Sequence, residues 1–300
     1  MPSPDVVPSL GIIGAGKVGS VLARLWSRAG FRIVAVHSRT PGHATELAAQ
    51  VNAPTLQTPD EVVARADLTL LTIPDDAIAG VAEGIARSAD SFAGKGVVHT
   101  AGAQDATMLQ PLSARGAQIG SLHPAYPFAD VDSALAGFGG ITFAVEAQDE
   151  PLLGWLHRLV LALNSRALVI PPGYKTTYHL ALALASNYAV TLYAVAERLL
   201  LSLGTDQAVA DDALNALLSG TMDNLRRQGI PAAMVGPLTR ADLGTIAAHL
   251  EVLRQLDPTL RHVYKGLARL SFPMLKERGI ATESIDDLLR QDDDDETDHT

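Results

Sequence analysis

Leu10-Gly11-Ile12-Ile13-Gly14-Ala15-Gly16-Lys17-Val18-Gly19 is the stretch that decides the fold. An apolar run enters a glycine cluster of the form G-x-G-x-x-G, and an amphipathic segment leaves it. Val18, Val21, Leu22, Leu25 and Trp26 fall at helical spacing over Lys17–Ala29, and Gly30 closes the helix. Strand, glycine turn and helix at the start of a chain form the context in which this motif cradles a pyrophosphate. Gly14 permits the tight turn, Gly16 lets backbone approach the phosphates, and Gly19 lets helix and strand pack closely. The helix N-terminus, at Ala15, Lys17 and Val18, then offers free N–H groups and a positive dipole end.

Outward from this point, apolar runs alternate with amphipathic ones. Strands are predicted at Phe31–Val36, Leu68–Ile73, Gly96–His99, Ala117–Leu122 and Ile141–Val145, with helices at Ala44–Val51 and Asp75–Arg87. Such alternation predicts an α/β fold, a Rossmann-type doubly wound parallel sheet over residues 1–148. Beyond Glu150 the period changes. A helix at Pro151–Asn164 and a last strand at Ala167–Ile170 precede Pro171-Pro172-Gly173, a hard stop. Helices then follow at Tyr174–Leu203, Asp206–Gln228, Ala241–Leu256 and Pro258–Arg278. The expectation is a mainly helical domain over 149–290, for substrate and dimerisation, and a disordered acidic tail over 291–300.

Composition narrows the function. The 300 residues carry a net charge of −10, but six of the acids lie between Asp292 and Asp298, so the body is nearly neutral. No basic surface draws in nucleic acid or anionic lipid. Zero cysteines exclude disulfides, thiolate metal sites and a cysteine nucleophile, and no metal site is expected. Met1–Asp5 shows no basic or apolar leader, so a cytoplasmic protein is expected. Leu180–Ala196 is uncharged and rich in Leu and Ala, but marginal in length for a membrane span; a buried helix, covered by a second copy in a homodimer, is the reading preferred.

The end of the second strand selects the dinucleotide. His37-Ser38-Arg39-Thr40 has no acid to hold a ribose 2′-hydroxyl, whereas two hydroxyls and a guanidinium suit a 2′-phosphate. NADP(H) is the cofactor expected, held by Gly14, Gly16, Gly19, Ser38, Arg39 and Thr40. Ile73 and Pro74 end the next strand and are placed to pack on the dinucleotide, while Asp75 reads as a helix cap. Thr100, His99 and His123 also end strands, where they reach cofactor or substrate, or else are hydrogen-bonded core residues.

Lys175 opens the long apolar helix, where a charge needs a reason. At about 100° per residue His179, Ser186 and Tyr193 share its stripe, and Asn187 lies off it. Lys175 and His179 are roughly 6 Å apart along the axis, close enough to address one small substrate, whereas Ser186 is about 16 Å along. A desolvated Lys or a His can protonate the carbonyl oxygen or imine nitrogen that receives a hydride. The competing reading is a snorkelling lysine and a packed histidine.

The glycine motif, Ser38-Arg39, His99-Thr100-Ala101-Gly102-Ala103, Ser121-Leu122-His123-Pro124, Tyr178-His179-Leu180-Ala181, Ala185-Ser186-Asn187-Tyr188 and Gly236–Asp242 occur together. In this combination the chain resembles the Rossmann-like proteins with a helical C-terminal domain of unknown function. These are similar in turn to 6-phosphogluconate, β-hydroxyacid, ketopantoate and pyrroline-5-carboxylate reductases. The resemblance implies NADP-dependent reduction of a small carbonyl substrate, a 2-oxo or 3-hydroxy acid, and a helical domain that dimerises. The β-hydroxyacid dehydrogenases place a catalytic lysine at the start of the interdomain helix and an asparagine four residues on; Lys175 matches the first, and His179 stands at the second. Asn187 and Arg240 are candidates to bind substrate, Arg240 through a carboxylate or else paired with Asp242. The alternatives are an imine or F420-linked reductase and a non-catalytic NADP-sensing module.

Overall fold

The computed structural model of the chain describes residues 7–297. Residues 1–6, in which a leader was sought, and 298–300, the end of the acidic tail, lie outside them. Seven strands form one sheet: β1 Leu10–Ile13, β2 Ile33–His37, β3 Leu68–Leu71, β4 Gly96–His99, β5 Gln118–Pro124, β6 Thr142–Ala147 and β7 Arg166–Val169. The helices of the first unit are α1 Lys17–Arg28, α2 Pro41–Val51, α3 Pro59–Arg65, α4 Ile78–Ser88, α5 Gln110–Ser113, α6 Val131–Gly137, α7 Leu152–Leu161 and α8 Lys175–Ala185. Then come α9 Asn187–Ser202, α10 Gln207–Gln228, α11 Leu243–Leu256, α12 Pro258–Glu277 and α13 Glu283–Thr297.

The sheet order is β2-β1-β3-β4-β5-β6-β7, with every neighbouring pair parallel except β5 and β6. Alternate side chains feed two cores. Ile12, Leu70 and Val98 join α1, α2 and α7 through Leu22, Trp26, Leu47 and Trp155. Ile13, Leu71 and Val97 point the other way, to Val62, Ile78, Ile85 and Leu112 of α3, α4 and α5. The doubly wound sheet expected from the alternation is therefore present, and the all-parallel expectation is corrected at one pair. The segment joining β5 to β6 holds only the short α6, which packs on α1 instead of carrying the chain over the sheet.

Two compact units divide the chain at Met1–Thr191 and Leu192–Thr300. The first extends past residue 148 because α7 supplies Trp155, Leu156 and Leu159 to the core and β7 pairs with β6. In the second, Ile246, Leu250, Ala268, Leu275, Ile285 and Leu289 of α11, α12 and α13 make a small core.

The acidic segment departs from the disorder expected of it. α13 runs through to Thr297, and Asp292 is buried. Its carboxylate accepts from Arg261 Nε at 2.7 Å and lies 3.1 Å from Lys265 Nζ. Buried countercharge on α12 holds Asp292, at the head of that segment, in the protein interior. A second correction concerns Leu180–Ala196. The helical stretch Lys175–Ser202 is long and apolar enough to cross a membrane by length and composition, which is weak evidence alone. Its apolar window is exposed within the single chain rather than buried.

Candidate active site

The glycine loop shows why each glycine stands where it does. Gly14 has φ +107°, and a Cβ there would lie 2.4 Å from the Thr72 carbonyl oxygen. At Gly19 a Cβ would lie 2.1 Å from the Gly14 carbonyl oxygen and 2.4 Å from Thr72 Oγ1. That hydroxyl donates to the Gly14 carbonyl at 2.6 Å and ties β3 to the loop. Gly16, the residue before α1, is different: a Cβ there meets nothing within 4 Å. Protein contacts forbid side chains at Gly14 and Gly19, while Gly16 faces open space at the positive end of a helix. A cradle of this form fits a dinucleotide pyrophosphate.

Gly16, Lys17, Ser20, Arg24 and His43 line a groove of about 520 Å³ beside it, together with Glu46 and Asp132. Ala15 is buried and Val18 packs on the first core. Ser38 is half-buried, and Arg39 and Thr40 are exposed where β2 gives way to α2. Ile73 is half-buried on the second core and would lie 2.9 Å from a Gly14 Cβ; Pro74 is exposed. Asp75 begins a 3-10 turn, Asp75–Ala77, and makes no side-chain cap to it or to α4, contrary to the capping expected. Thr100 Oγ1 donates to the Leu71 carbonyl at 3.4 Å, so its hydroxyl is engaged within the sheet.

The carboxyl ends of β4 and β5 and the first turn of α8 hold the titratable cluster. His99 has no exposed surface. Its Nδ1 accepts from the Ala101 N–H at 3.2 Å and its Nε2 donates to the Asp105 carbonyl at 3.1 Å. Both ring nitrogens serve the backbone, so His99 shapes the loop and does not present itself to substrate. Burial pushes it down to about 4, and it is neutral at pH 7.

Lys175 is also fully buried, with Nζ donating to the Ala101 carbonyl at 3.0 Å and lying 5.6 Å from the Tyr178 ring centre. Burial lowers it to about 8, against the opposing pull of Glu146, Asp105 and Asp75. Glu146 is buried too; desolvation raises its carboxyl while it accepts from the Ala106 N–H at 2.9 Å.

His123 Nδ1 and the Tyr178 hydroxyl are 2.8 Å apart with their rings edge to face. Gly102 is wedged between two imidazoles, since a Cβ there would lie 3.0 Å from His123 Nε2 and 2.8 Å from His179 Cδ2. Burial first, then the charge of Lys175, pushes His123 down to about 4. Desolvation pushes the Tyr178 phenol up to about 12. His123 and His179 open onto a cavity of about 780 Å³ whose other walls include Tyr126, Phe128, Leu182, Ser186, Asn187 and Val190. Among the described residues that line it, none is lysine or arginine.

Residues 5–124 match the Rossmann-like domain, and residues 141–271 match a domain of unknown function, DUF2520. The chain joins a Rossmann-like domain to DUF2520. Its fold is that of NADP oxidoreductases. A presumed NADP oxidoreductase from Bacteroides fragilis is 28% identical, with TM-score 0.67 over 87% of this chain and 96% of that one. A protein from Thermotoga maritima is 22% identical, with TM-score 0.71 over 90% and 99%. A reductive aminase from Aspergillus terreus, solved with NADPH and ethyl-5-oxohexanoate, is 20% identical, with TM-score 0.65 over 89% and 94%. No protein of curated function matches the chain.

Within this Rossmann–DUF2520 chain, His123, His179 and Asn187 come together at one cavity, while Lys175 is enclosed beneath them. Ser186 joins them, contrary to the expectation from its distance along the helix axis. The backbone bends there, at φ −118° and ψ −69°, while helical hydrogen bonds continue across it from the Ser186 N–H to the Leu182 carbonyl and from the Val190 N–H to the Ser186 carbonyl. Arg240 belongs to the second unit, where it lies 4.0 Å from Asp242, the residue that caps α11. Sequence reasoning missed Thr72, Gly102 and Tyr178. Tyr178 carries a usable signal, three residues after Lys175 on the same helical face.

Proposed function

We propose that this protein is an NADPH-dependent reductase of a small carbonyl or imine compound. The observation that carries the reading is the open face of Gly16 at the N-terminus of α1, between two glycines that protein contacts hold bare. In this reading the N–H groups of α1, with Lys17, hold the pyrophosphate. Ser38, Arg39 and Thr40 meet the 2′-phosphate, and Ile73 and Pro74 flank the dinucleotide. When bound, NADPH supplies the hydride. The carboxyl ends of β4 and β5, where Gly102 and His123 lie, are where such a fold places the reacting ring.

The substrate occupies the cavity beside His123, with its polar end toward His123 and His179 and its body against Tyr126, Phe128 and Leu182. A carboxylate there has no lysine or arginine of that lining to pair with, and burying it unpaired is costly. A neutral carbonyl or imine therefore fits the lining better than the 2-oxo or 3-hydroxy acid read from the sequence. Lys175 acts from beneath as a fixed positive charge. The functional form is a homodimer that covers the exposed helical faces. The compartment is the cytoplasm, whose reducing conditions suit an NADPH consumer.

Titration with NADPH and NADH, followed by nucleotide fluorescence on wild type and Arg39→Ala, tests the cofactor reading. Tight NADPH binding, weak NADH binding and loss of that preference in Arg39→Ala are expected. Binding of neither nucleotide would overturn the proposal.

A further inference from the structure

His123 is the histidine of the cluster with one nitrogen spent inside the protein and the other left for a ligand. Nδ1 faces the Tyr178 hydroxyl at 2.8 Å. Nε2 has no hydrogen bond to any described residue; it lies beside the bare Cα of Gly102, on a ring that lines the cavity. Two arrangements of the Tyr178 contact are possible, and chemistry separates them. An imidazole nitrogen is a much stronger base than a phenol oxygen, so the bond runs from the Tyr178 O–H to Nδ1. The ring proton then sits on Nε2, pointing to where a substrate heteroatom would lie. Burial first, and then the charge of Lys175, oppose protonation of the His123 ring, which keeps Nδ1 free to accept.

We propose that Tyr178 is a positioning residue that fixes His123 in its Nε2–H form, and that His123 is the group that gives the proton to the reacting oxygen or nitrogen. This rests on the reductase reading above. As the substrate carbon gains hydride from NADPH, a heteroatom–H bond forms and the His123 Nε2–H bond breaks. The Tyr178 O–H proton passes to Nδ1, restoring a neutral ring. The phenolate left on Tyr178 has the Lys175 ammonium near its ring and regains a proton from water. Lys175, with no exposed surface, influences this step by charge and touches no substrate.

The test begins with the tautomer, which needs no substrate. Long-range proton–nitrogen NMR of the 15N-labelled full chain at pH 7 should show His123, assigned by its loss in His123→Asn, with a proton on Nε2 and a bare Nδ1. Tyr178→Phe should convert it to a mixture of tautomers while leaving the thermal melting curve in place. A wild-type ring protonated on Nδ1, or on both nitrogens, would overturn the proposal.

The second arm follows NADPH oxidation with cyclohexanone and with 1-pyrroline. Tyr178→Phe should lower kcat by about 10²-fold, the low end of general-acid effects, and leave KM within about twofold. Unchanged kcat in that variant would remove Tyr178 from the step. Failure to bind NADPH would defeat the reductase reading and with it the proton delivery, while the tautomer would still report the pair. NADPH binding with an Nδ1–H ring would defeat the proposal alone.

Discussion

At the scale of single residues, the glycine loop separates folding from binding. Gly19→Ala drives a methyl to 2.1 Å from the Gly14 carbonyl oxygen, so backbone must shift. A loss of about 2–3 kcal/mol in urea unfolding is expected, in the range of overpacked cores. Gly16→Ala meets no protein atom within 4 Å; its stability should stay within about 0.5 kcal/mol of wild type while NADPH affinity falls. Equal loss of stability in both variants would refute the assignment of Gly16 to the ligand.

Lys175 gives a pH signature of known sign. Burial lowers it from 10.5 to about 8, so below pH 8 the charged group is held at full cost in the native state. Between pH 8 and 10.5 the native chain has released this proton and the unfolded chain keeps it, so stability rises with pH. Urea unfolding at pH 7.5 and 9.5 should show wild type gaining about 2 kcal/mol relative to Lys175→Met. A parallel response of the two proteins would show that the lysine is not held in this way. The glycines were legible in sequence because the strand–turn–helix motif that holds them is contiguous, although part of what keeps Gly14 and Gly19 bare is Thr72, just past the end of β3. The role of His99 was not, because its partners, the Ala101 N–H and the Asp105 carbonyl, exist only once the loop after β4 has folded. Tyr178 lay on the right helical face, but its meaning depends on His123, 55 residues earlier in the chain.

At the scale of elements, periodicity located all seven strands: β1, β3 and β4 alternate between two apolar cores, whereas β7 is exposed along its length and was legible only as a short apolar run. It did not give the direction of β6, which depends on how the α6 segment travels. Nor did it give the backbone bend at Ser186, which no proline or glycine marks. The last helix is the clearest case of local composition overruled by tertiary charge. Asp292 is buried with Arg261 and Lys265, and Arg254 lies 3.2 Å away. Burial would raise its carboxyl, but hydrogen bonds from Arg261 and Lys265 hold it below the usual carboxylate range. Asp292→Ala removes the acceptor these cations share, and a loss of about 3 kcal/mol is expected. Chemical unfolding of that variant beside Asp287→Ala checks it. Equal stability of the two would show that α13 contributes nothing through Asp292.

At the scale of the whole molecule, the exposed apolar surface has to be accounted for. Leu180, Leu184, Tyr188, Leu192 and Leu199 are exposed along the helical stretch 175–202, as are Leu217, Leu218, Met222 and Leu225 on α10. A bilayer and a second copy of the chain are the two coverings to weigh. The first turn of α8 is tied into the sheet unit, since Lys175 is bonded to the Ala101 carbonyl and Tyr178 to His123, which favours a second copy. Farther along the same helical stretch, Glu197 and Arg198 place two charges near its far end. We propose that a second copy of the chain, rather than a bilayer, covers these faces. Sedimentation at micromolar concentration should therefore give about twice the chain mass of 31.6 kDa, without detergent. The pair Leu184→Glu and Leu217→Glu should shift it toward the single chain while the far-ultraviolet dichroism of the helices persists. Wild type sedimenting as the single chain, or recovered only in the membrane fraction, would defeat the dimer.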